Sequence, residues 1–177
     1  MKIMKTIIEK IDKNQKNTDI IREAGRILKE GGLVAFPTET VYGLGADALN
    51  EDAAKKIYAA KGRPSDNPLI IHITNMKALD KIVSEVPEKA VKVAEKYWPG
   101  PLTMIFQKTE EVPYETTGGL DTVAVRMPSD EIARALIDAG GGYIAAPSAN
   151  TSGRPSPTKA EHVEEDLSGK IEMILDG

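Results

Sequence analysis

Two cations stand two residues apart in this sequence: Lys61 and Arg63, with Gly62 between them and Pro64 and Pro68 close behind. Arginine offers a planar fork for phosphate oxygens and lysine a compact point charge, so the pair suits a polyanion. Cations at a helix C-terminus also complement the helix dipole, and the spacing alone favours that plain role. The two prolines stiffen the loop more than a helix end requires, which favours the anion-binding interpretation.

Hydroxyl and amide side chains gather directly after the run Ala145–Pro147, chiefly those of Ser148 and Asn150. Their donors and acceptors suit a sugar, a base edge or a phosphate. A turn of ordinary composition would explain the residue types, but it would not explain why so many donors follow one strand. The segment is therefore a candidate ligand-binding loop.

A second hydroxyl-rich segment, Pro37–Tyr42, leads into the glycine pair Gly43 and Gly45. It is either a turn that contacts a ligand or a plain strand-to-loop turn. The glycine pair lacks the third glycine of the dinucleotide fingerprint, and the chain contains no Walker A sequence. Any nucleotide must therefore be held by another device.

Two strand-like apolar runs carry His72 and Arg126. An arginine on a strand among buried valines must find an anion or reach solvent at the strand end. The plain alternatives are a structural salt bridge for Arg126 and a satisfied core position for His72. With only two histidines and no cysteine, the sequence excludes a histidine-rich metal site, a thiolate zinc site, a disulfide scaffold and a cysteine nucleophile.

The chain that must position these groups has 177 residues, enough for one domain at roughly 150 residues each. Its 41% hydrophobic and 28% charged residues are typical of a globular protein. A net charge of −4 disfavours a protein whose main task is gripping nucleic-acid backbone. The first eleven residues lack a signal-peptide core, and no stretch approaches the ~20 apolar residues that span a bilayer. We therefore expect a cytoplasmic protein with no membrane part.

Helix-like and strand-like hydrophobic periods alternate from end to end, which predicts a single α/β domain. Helices are expected from Thr18 to Gly31, from Asn50 to Gly62, near Asn75, with Pro87 in a first turn, after a Ser129 cap, and from a capping box of Thr158 and Glu161. Strands are expected over Leu33–Phe36, Leu69–Ile73, Leu102–Gln107, Thr122–Met127, Tyr143–Ala146 and Ile171–Leu175. Because the chain stops directly after this last strand, we expect it to be truncated at its C-terminus.

Five segments together resemble the YrdC-like family, whose characterised members are threonylcarbamoyl-AMP synthases. They are Phe36–Gly45, Lys61–Arg63 with Asn67–Leu69, Trp98–Thr103, Thr122–Arg126 and Pro147–Asn150. The resemblance runs in order from about Ile20 to Gly177, so one YrdC-like domain is expected over residues 1–177 with its core at about 20–177. Family members continue past this point with a glycine-rich stretch, a further strand and an arginine near the nucleotide, which agrees with the expected truncation.

The resemblance implies a concave, positively lined cavity on a twisted, open, mixed β-sheet flanked by helices. It implies an L-threonylcarbamoyladenylate synthase, which converts L-threonine, bicarbonate and ATP into threonylcarbamoyl-AMP and pyrophosphate. This product feeds the formation of threonylcarbamoyladenosine (t6A) in tRNA through a downstream tRNA threonylcarbamoyl transferase. The resemblance also implies Mg²⁺ bound with the ATP and no metal ligands from the protein, and we expect a monomer.

The same resemblance assigns roles to individual residues. Lys61 and Arg63 are implied as the catalytic cations. Threonine would be held by Thr38, His72, Arg126 and Ser148. The nucleotide would be held by Lys61, Arg63, Ser65, Thr122, Asn150 and Ser156.

Two other functions remain open at this point. The first is a module that binds double-stranded RNA or ribosomes without adenylate synthesis, because YrdC-like domains have been linked to both; a basic concavity could outweigh the net charge. The second is a carbamoyl-transfer domain of the kind found in hydrogenase maturation proteins, which normally lies inside a much longer chain. Threonine-dependent pyrophosphate release from ATP separates the synthase from both.

Overall fold

The computed structural model describes residues 4–12 and 17–177, which form an eight-stranded mixed sheet flanked by helices. The prediction about the first eleven residues thus falls partly outside the described ones. The strands are β1 (Ile7–Lys10), β2 (Val34–Phe36), β3 (Gly43–Asp47), β4 (Ile70–His72), β5 (Thr103–Gln107), β6 (Thr122–Arg126), β7 (Ile144–Ala145) and β8 (Met173–Asp176). The helices are α1 (Thr18–Lys29), α2 (Glu51–Lys61), α3 (Leu79–Ile82), α4 (Glu88–Tyr97), α5 (Tyr114–Thr117), α6 (Glu131–Ala139) and α7 (Ala160–Leu167), with a 3-10 turn at Met76–Ala78.

The strands lie in the order β1-β8-β2-β3-β7-β4-β6-β5. The pairs β1–β8, β8–β2 and β4–β6 are parallel, and the other neighbours are antiparallel. The expected single α/β domain with an open mixed sheet is therefore confirmed. In the described residues no helix is both long and apolar enough to cross a bilayer.

Strand β3 is not predicted from the sequence, because its two glycines, Gly43 and Gly45, are typical of turns. A Cβ on Gly45 would lie 2.9 Å from a ring carbon of Phe36 and 3.1 Å from Ile144. The glycine is therefore what lets the Phe36 ring of the neighbouring strand pack across β3. The same segment reads in sequence as a flexible turn. Strand β1, on the sheet edge, was also not predicted.

Helix α2 begins and ends as the sequence predicts. The Asn50 side chain accepts hydrogen bonds from the backbone N–H groups of Asp52 and Ala53, at 3.0 and 3.2 Å. Gly62 stops the helix in the left-handed conformation, with φ of 63°. This fixed stop leaves Lys61 as the last residue of the helix, pointing toward the strands.

Three predicted helix starts are wrong in detail. Asp130, rather than Ser129, caps α6, and its carboxylate accepts from the Ala133 N–H at 3.0 Å. The capping box of Thr158 and Glu161 does not form, because Lys159 occupies the N-cap position of α7 without a side-chain hydrogen bond. Pro87 is the N-cap of α4 and not a residue of its first turn.

Two hydrophobic layers cover the sheet unevenly. One layer packs α1 and α6 against β2, β7 and β8, and the other packs α2 and α7 against residues such as Ile71 and Val125. Toward β4, β6 and β5 the first layer ends. There Ile70 and Ala124 are half-buried, and Ile105, paired with Ala124, is 70% exposed. The sheet therefore presents an open face beside its covered half.

Candidate active site

Lys61 joins the end of α2 to the segment that follows β7. Its side chain is buried, and Nζ donates to the carbonyl oxygens of Ser148 at 2.5 Å and Asn150 at 2.8 Å. In return the Ser152 N–H donates to the Lys61 carbonyl at 2.8 Å. A buried ammonium must satisfy its donors inside the protein, and these two carbonyls do so. Three predicted site residues are thus brought into direct contact.

The electrostatic environment makes Lys61 a weak base for a lysine. Burial, and secondly the nearby charge of Arg63, lower its pKa to about 8, while the Asp166 carboxylate acts in the opposite direction. Burial also lowers the pKa of the Arg63 guanidinium. Two desolvated cations side by side favour any anionic ligand that would neutralise them.

The segment Pro147–Asn150 pairs with the start of β3 through an isolated antiparallel bridge. The Leu44 N–H donates to the Pro147 carbonyl, and the Ala149 N–H to the Tyr42 carbonyl, both at 2.8 Å. Ser148 forms a bridge with Gly43, and its side chain is half-buried. Backbone pairing on one side and Lys61 on the other fix this segment, which is the rigidity that ligand-positioning groups require.

The Asn150 side chain closes the following turn on itself. Its Nδ2 donates to the carbonyl oxygens of Thr151 at 2.9 Å and Arg154 at 2.8 Å. The Asp166 carboxylate accepts from the Thr151 N–H at 3.0 Å. Ser156, further along the same loop, is exposed.

Arg63 organises the proline-containing loop that leads to β4. Its Nε donates to the Asn67 carbonyl at 3.2 Å and its Nη2 to the Pro68 carbonyl at 2.9 Å. Ser65 lies exposed on this loop. Two of the guanidinium N–H donors are thus bonded to the loop, and the others can bind a ligand.

His72 and Arg126 are neighbours in register on the parallel strands β4 and β6 and so share one face of the sheet. His72 Nδ1 lies 3.1 Å from the Ile70 carbonyl, and burial lowers its pKa to about 4. The ring is therefore neutral near pH 7. Arg126 donates from Nε to the Gly100 carbonyl at 3.2 Å, and its guanidinium contacts the Glu39 carboxylate. This contact is the structural salt bridge that the sequence left open as the plain role of Arg126.

Glu39 reaches Arg126 from the hydroxyl-rich turn after β2. Thr38 shapes this turn: its Oγ1 donates to the Val41 carbonyl at 2.6 Å and accepts from the Thr40 N–H at 3.1 Å. Glu39 also accepts from the Asp130 N–H at 3.1 Å. The turn that Thr38 holds therefore brings the Glu39 carboxylate to Arg126.

Thr122 occupies the opposite end of β6, where it is half-buried and pairs with Gln107. Arg126 follows four positions later, which is about 13 Å along an extended strand. The Ala146 N–H donates to the Ile70 carbonyl at 3.0 Å, so the segment leading to Ser148 lies directly beside β4. The open face is thus bordered by His72 and Arg126 at one end, by Thr122 at the other, and by the loop anchored on Lys61.

Sequence reasoning missed two carboxylates of this site. Glu39 lies inside the hydroxyl-rich segment Pro37–Tyr42, which is a sequence signal that this carboxylate belongs to the site. Asp166 carries no such signal, because it is one of several acids on a helix whose other acids are exposed. Only the fold shows that its side chain is 7% exposed and directed at the Asn150 turn.

Comparison with known proteins places this arrangement in a family. The sequence profile of Sua5/YciO/YrdC, described as "Telomere recombination", matches residues 26–177. The chain belongs to this family. The resemblance to YrdC-like proteins is thereby confirmed.

Relatives in the Sua5/YciO/YrdC family are closely similar to this chain. It is 61% identical over 157 residues to a threonylcarbamoyl-AMP synthase of Pyrococcus abyssi, covering 89% of this chain and 46% of the relative. It is 52% identical over 178 residues to one of Bacillus subtilis, covering 100% and 51%. The solved structure of P. abyssi Sua5 complexed with L-threonine superposes with a TM-score of 0.94 at 57% identity, over 97% of this chain and 50% of that one. The chain thus spans about half the length of the curated relatives it matches.

The Mg²⁺ that the family resemblance implies is an ion carried by the nucleotide. Within residues 4–12 and 17–177 no group of three or more His, Cys, Asp or Glu side chains could hold a metal. Magnesium keeps several waters and often binds through substrate phosphates with few protein ligands. Such an ion could therefore enter with ATP without a dedicated protein cage.

Proposed function

We propose that this chain carries the active site of an L-threonylcarbamoyladenylate synthase, which makes threonylcarbamoyl-AMP and pyrophosphate from L-threonine, bicarbonate and ATP. One observation carries the proposal: Arg126 lies on the open sheet face, and a second pair of cations, Lys61 and Arg63, contacts the segment after β7 and the loop before β4. A carboxylate and a polyphosphate can therefore be held at the same time. The names of the relatives support the same reaction.

The chemistry asks the protein for positioning rather than for a nucleophile. The threonine amine adds to bicarbonate and releases water, which gives a carbamate. A carbamate oxygen then attacks the α-phosphorus of ATP, the bond to the β-phosphate oxygen breaks, and pyrophosphate leaves. Holding three small reactants in line and stabilising their negative charge account for most of such an acceleration.

Threonine would bind at the Arg126 end. The guanidinium suits the threonine carboxylate by bidentate pairing, once the Glu39 carboxylate has moved away. Neutral His72 supplies a hydrogen bond without adding charge. The hydroxyls of Thr38 and Ser148 are the remaining groups proposed for threonine.

ATP would bind along the loop side of the face. Lys61 and Arg63 would neutralise the triphosphate, and Mg²⁺ arriving with ATP would share its charge. The other proposed nucleotide contacts are Ser65, Thr122, Asn150 and Ser156. Because an anion raises the pKa of a neighbouring ammonium, bound ATP would keep Lys61 protonated.

The proposed product fixes what must follow it. A mixed anhydride of a carbamate and AMP is a reactive acyl donor, so a tRNA threonylcarbamoyl transferase is the proposed consumer. We also propose that the protein works in the cytoplasm, together with the transferase that consumes its product, and that it does so as a monomer.

Replacing Lys61 tests the proposal. We expect Lys61→Ala to lower threonine-dependent pyrophosphate release from ATP by at least ~100-fold, the loss typical when a charge-stabilising donor is removed. The matched control is Lys55→Ala, which removes an exposed lysine from the same helix. Equal pyrophosphate release by Lys61→Ala and wild type contradicts the assignment, as does salt-sensitive RNA binding by a wild type that turns over no ATP.

A further inference from the structure

A single carboxylate on α7 ties together the groups around Lys61. The Asp166 side chain is 7% exposed, its Oδ2 accepts from the Thr151 N–H at 3.0 Å, and its Oδ1 lies 3.3 Å from Nη1 of Arg154. Arg154 is itself 62% exposed, so this ion pair is anchored from the buried side. One carboxylate therefore fastens both ends of the turn 151–154.

The same turn carries the contacts of Asn150. Its Nδ2 donates to the carbonyls of Thr151 and Arg154, the two residues that Asp166 also holds. Its own carbonyl accepts from Lys61 Nζ at 2.8 Å. A shift of the turn would therefore move both Asn150 and the ammonium bound to it.

Asp166 also acts on Lys61 through its charge. The charged groups that act on the Lys61 ammonium are Arg63, from the loop after α2, and Asp166, from α7. Arg63 and burial favour the neutral amine, and Asp166 favours the charged form. Arg154 lies on the far, exposed side of this carboxylate.

We propose that Asp166 is a positioning residue of the site, which holds the Asn150 turn, and with it the Asn150 carbonyl that Lys61 contacts, in place. It touches no substrate in this proposal and acts through Thr151, Asn150 and Lys61. Its effect on turnover rests on the proposed function, whereas its effect on Lys61 does not.

Two substitutions separate its two effects. Asp166→Asn keeps an oxygen that can accept from the Thr151 N–H but removes the charge, whereas Asp166→Ala removes both. Glu165→Gln is the matched control, because it removes one negative charge from an exposed position on the same helix. Circular dichroism and thermal unfolding check that each variant is folded.

The direct readout is the pKa of Lys61, measured from the ¹³Cε shift of labelled lysine, with the signal assigned by its loss in Lys61→Arg. We expect a value near 8 in the wild type, a downward shift in Asp166→Asn and no shift in Glu165→Gln. An unchanged Lys61 pKa in Asp166→Asn, or an equal shift in Glu165→Gln, overturns the inference. This measurement needs no substrate, so it tests the role of Asp166 even if the proposed function is wrong.

The second readout is the pH profile of threonine-dependent pyrophosphate release. In Asp166→Asn the alkaline limb should move to lower pH, because Lys61 loses its proton earlier; a purely structural role would leave that limb in place. Asp166→Ala should in addition lower kcat roughly tenfold or more, the scale of a displaced positioning group. If the wild type releases pyrophosphate and the alkaline limb of Asp166→Asn does not move, the inference is contradicted. If the wild type releases no pyrophosphate, the proposed function is contradicted instead.

Discussion

The contact between Glu39 and Arg126 has a consequence for threonine binding. The arginine proposed for the threonine carboxylate contacts a carboxylate of the protein itself. Threonine must therefore displace Glu39, and the free energy of the internal pair is subtracted from its affinity. Replacing Glu39 by glutamine keeps the size of the side chain and an oxygen for the Asp130 N–H, but removes the competing charge.

The magnitude follows from the burial of the pair. The side chains are 11% and 22% exposed, so the pair lies between an exposed and a fully buried salt bridge. Such a pair contributes about 1–2 kcal/mol, which corresponds to roughly a 5–30-fold tighter Kd for threonine in Glu39→Gln. Arg126 should keep its orientation in the variant, because its Nε still donates to the Gly100 carbonyl.

Isothermal titration calorimetry with L-threonine measures this difference. Glu88→Gln, at an exposed position in the first turn of α4, serves as the charge-matched control and should leave the Kd unchanged. Equal threonine binding in Glu39→Gln would refute the reasoning, and weaker binding would make Glu39 a ligand of threonine instead.

Two further predictions concern stability. Burial lowers the pKa of His72 to about 4, so between about pH 6.5 and 4 the unfolded state binds more protons than the folded state. The free energy of unfolding should therefore fall by up to about 3 kcal/mol as the pH falls through that window. Urea unfolding should show this loss of stability in the wild type and in the control His162→Gln, which changes an exposed histidine. A folded His72→Gln should not show it, and an equal loss in His72→Gln contradicts the prediction. Gly45→Ala should cost about 1–3 kcal/mol, because its Cβ would lie 2.9 Å from Phe36. Gly43→Ala, with its nearest contact at 3.4 Å, should cost less, and equal losses in the two alanine variants would exclude this packing argument.

Helices and strands with their own hydrophobic period could be predicted from the sequence. Elements that depend on contacts with distant parts of the chain could not. Helix α2 carries its own signals in Asn50 and Gly62, and both act as predicted. Strand β3 depends on the ring of Phe36, which lies in another strand, so its glycines look like a turn until the sheet is assembled. The capping box at Thr158 has the right residues, but the chain enters α7 one residue later.

The candidate site divides in the same way. Lys61, Ser148 and Asn150 were predicted from residue types and from the family resemblance, and the structure brings them into contact. Their binding roles stay predictions. Glu39 and Asp166 could not be predicted, because each works through a partner about 87 or 15 residues away along the chain, at Arg126 and Thr151. Such pairings follow from the topology of the sheet rather than from local sequence.

The most direct test of the central claim is to incubate the protein with ATP, L-threonine and ¹³C-bicarbonate and to search for the adenylate by mass spectrometry. If the open face holds all three reactants, threonylcarbamoyl-AMP should form with one ¹³C atom from bicarbonate, in step with pyrophosphate release. Pyrophosphate release without labelled adenylate, or no turnover by a folded protein that binds both ATP and threonine, would contradict the account.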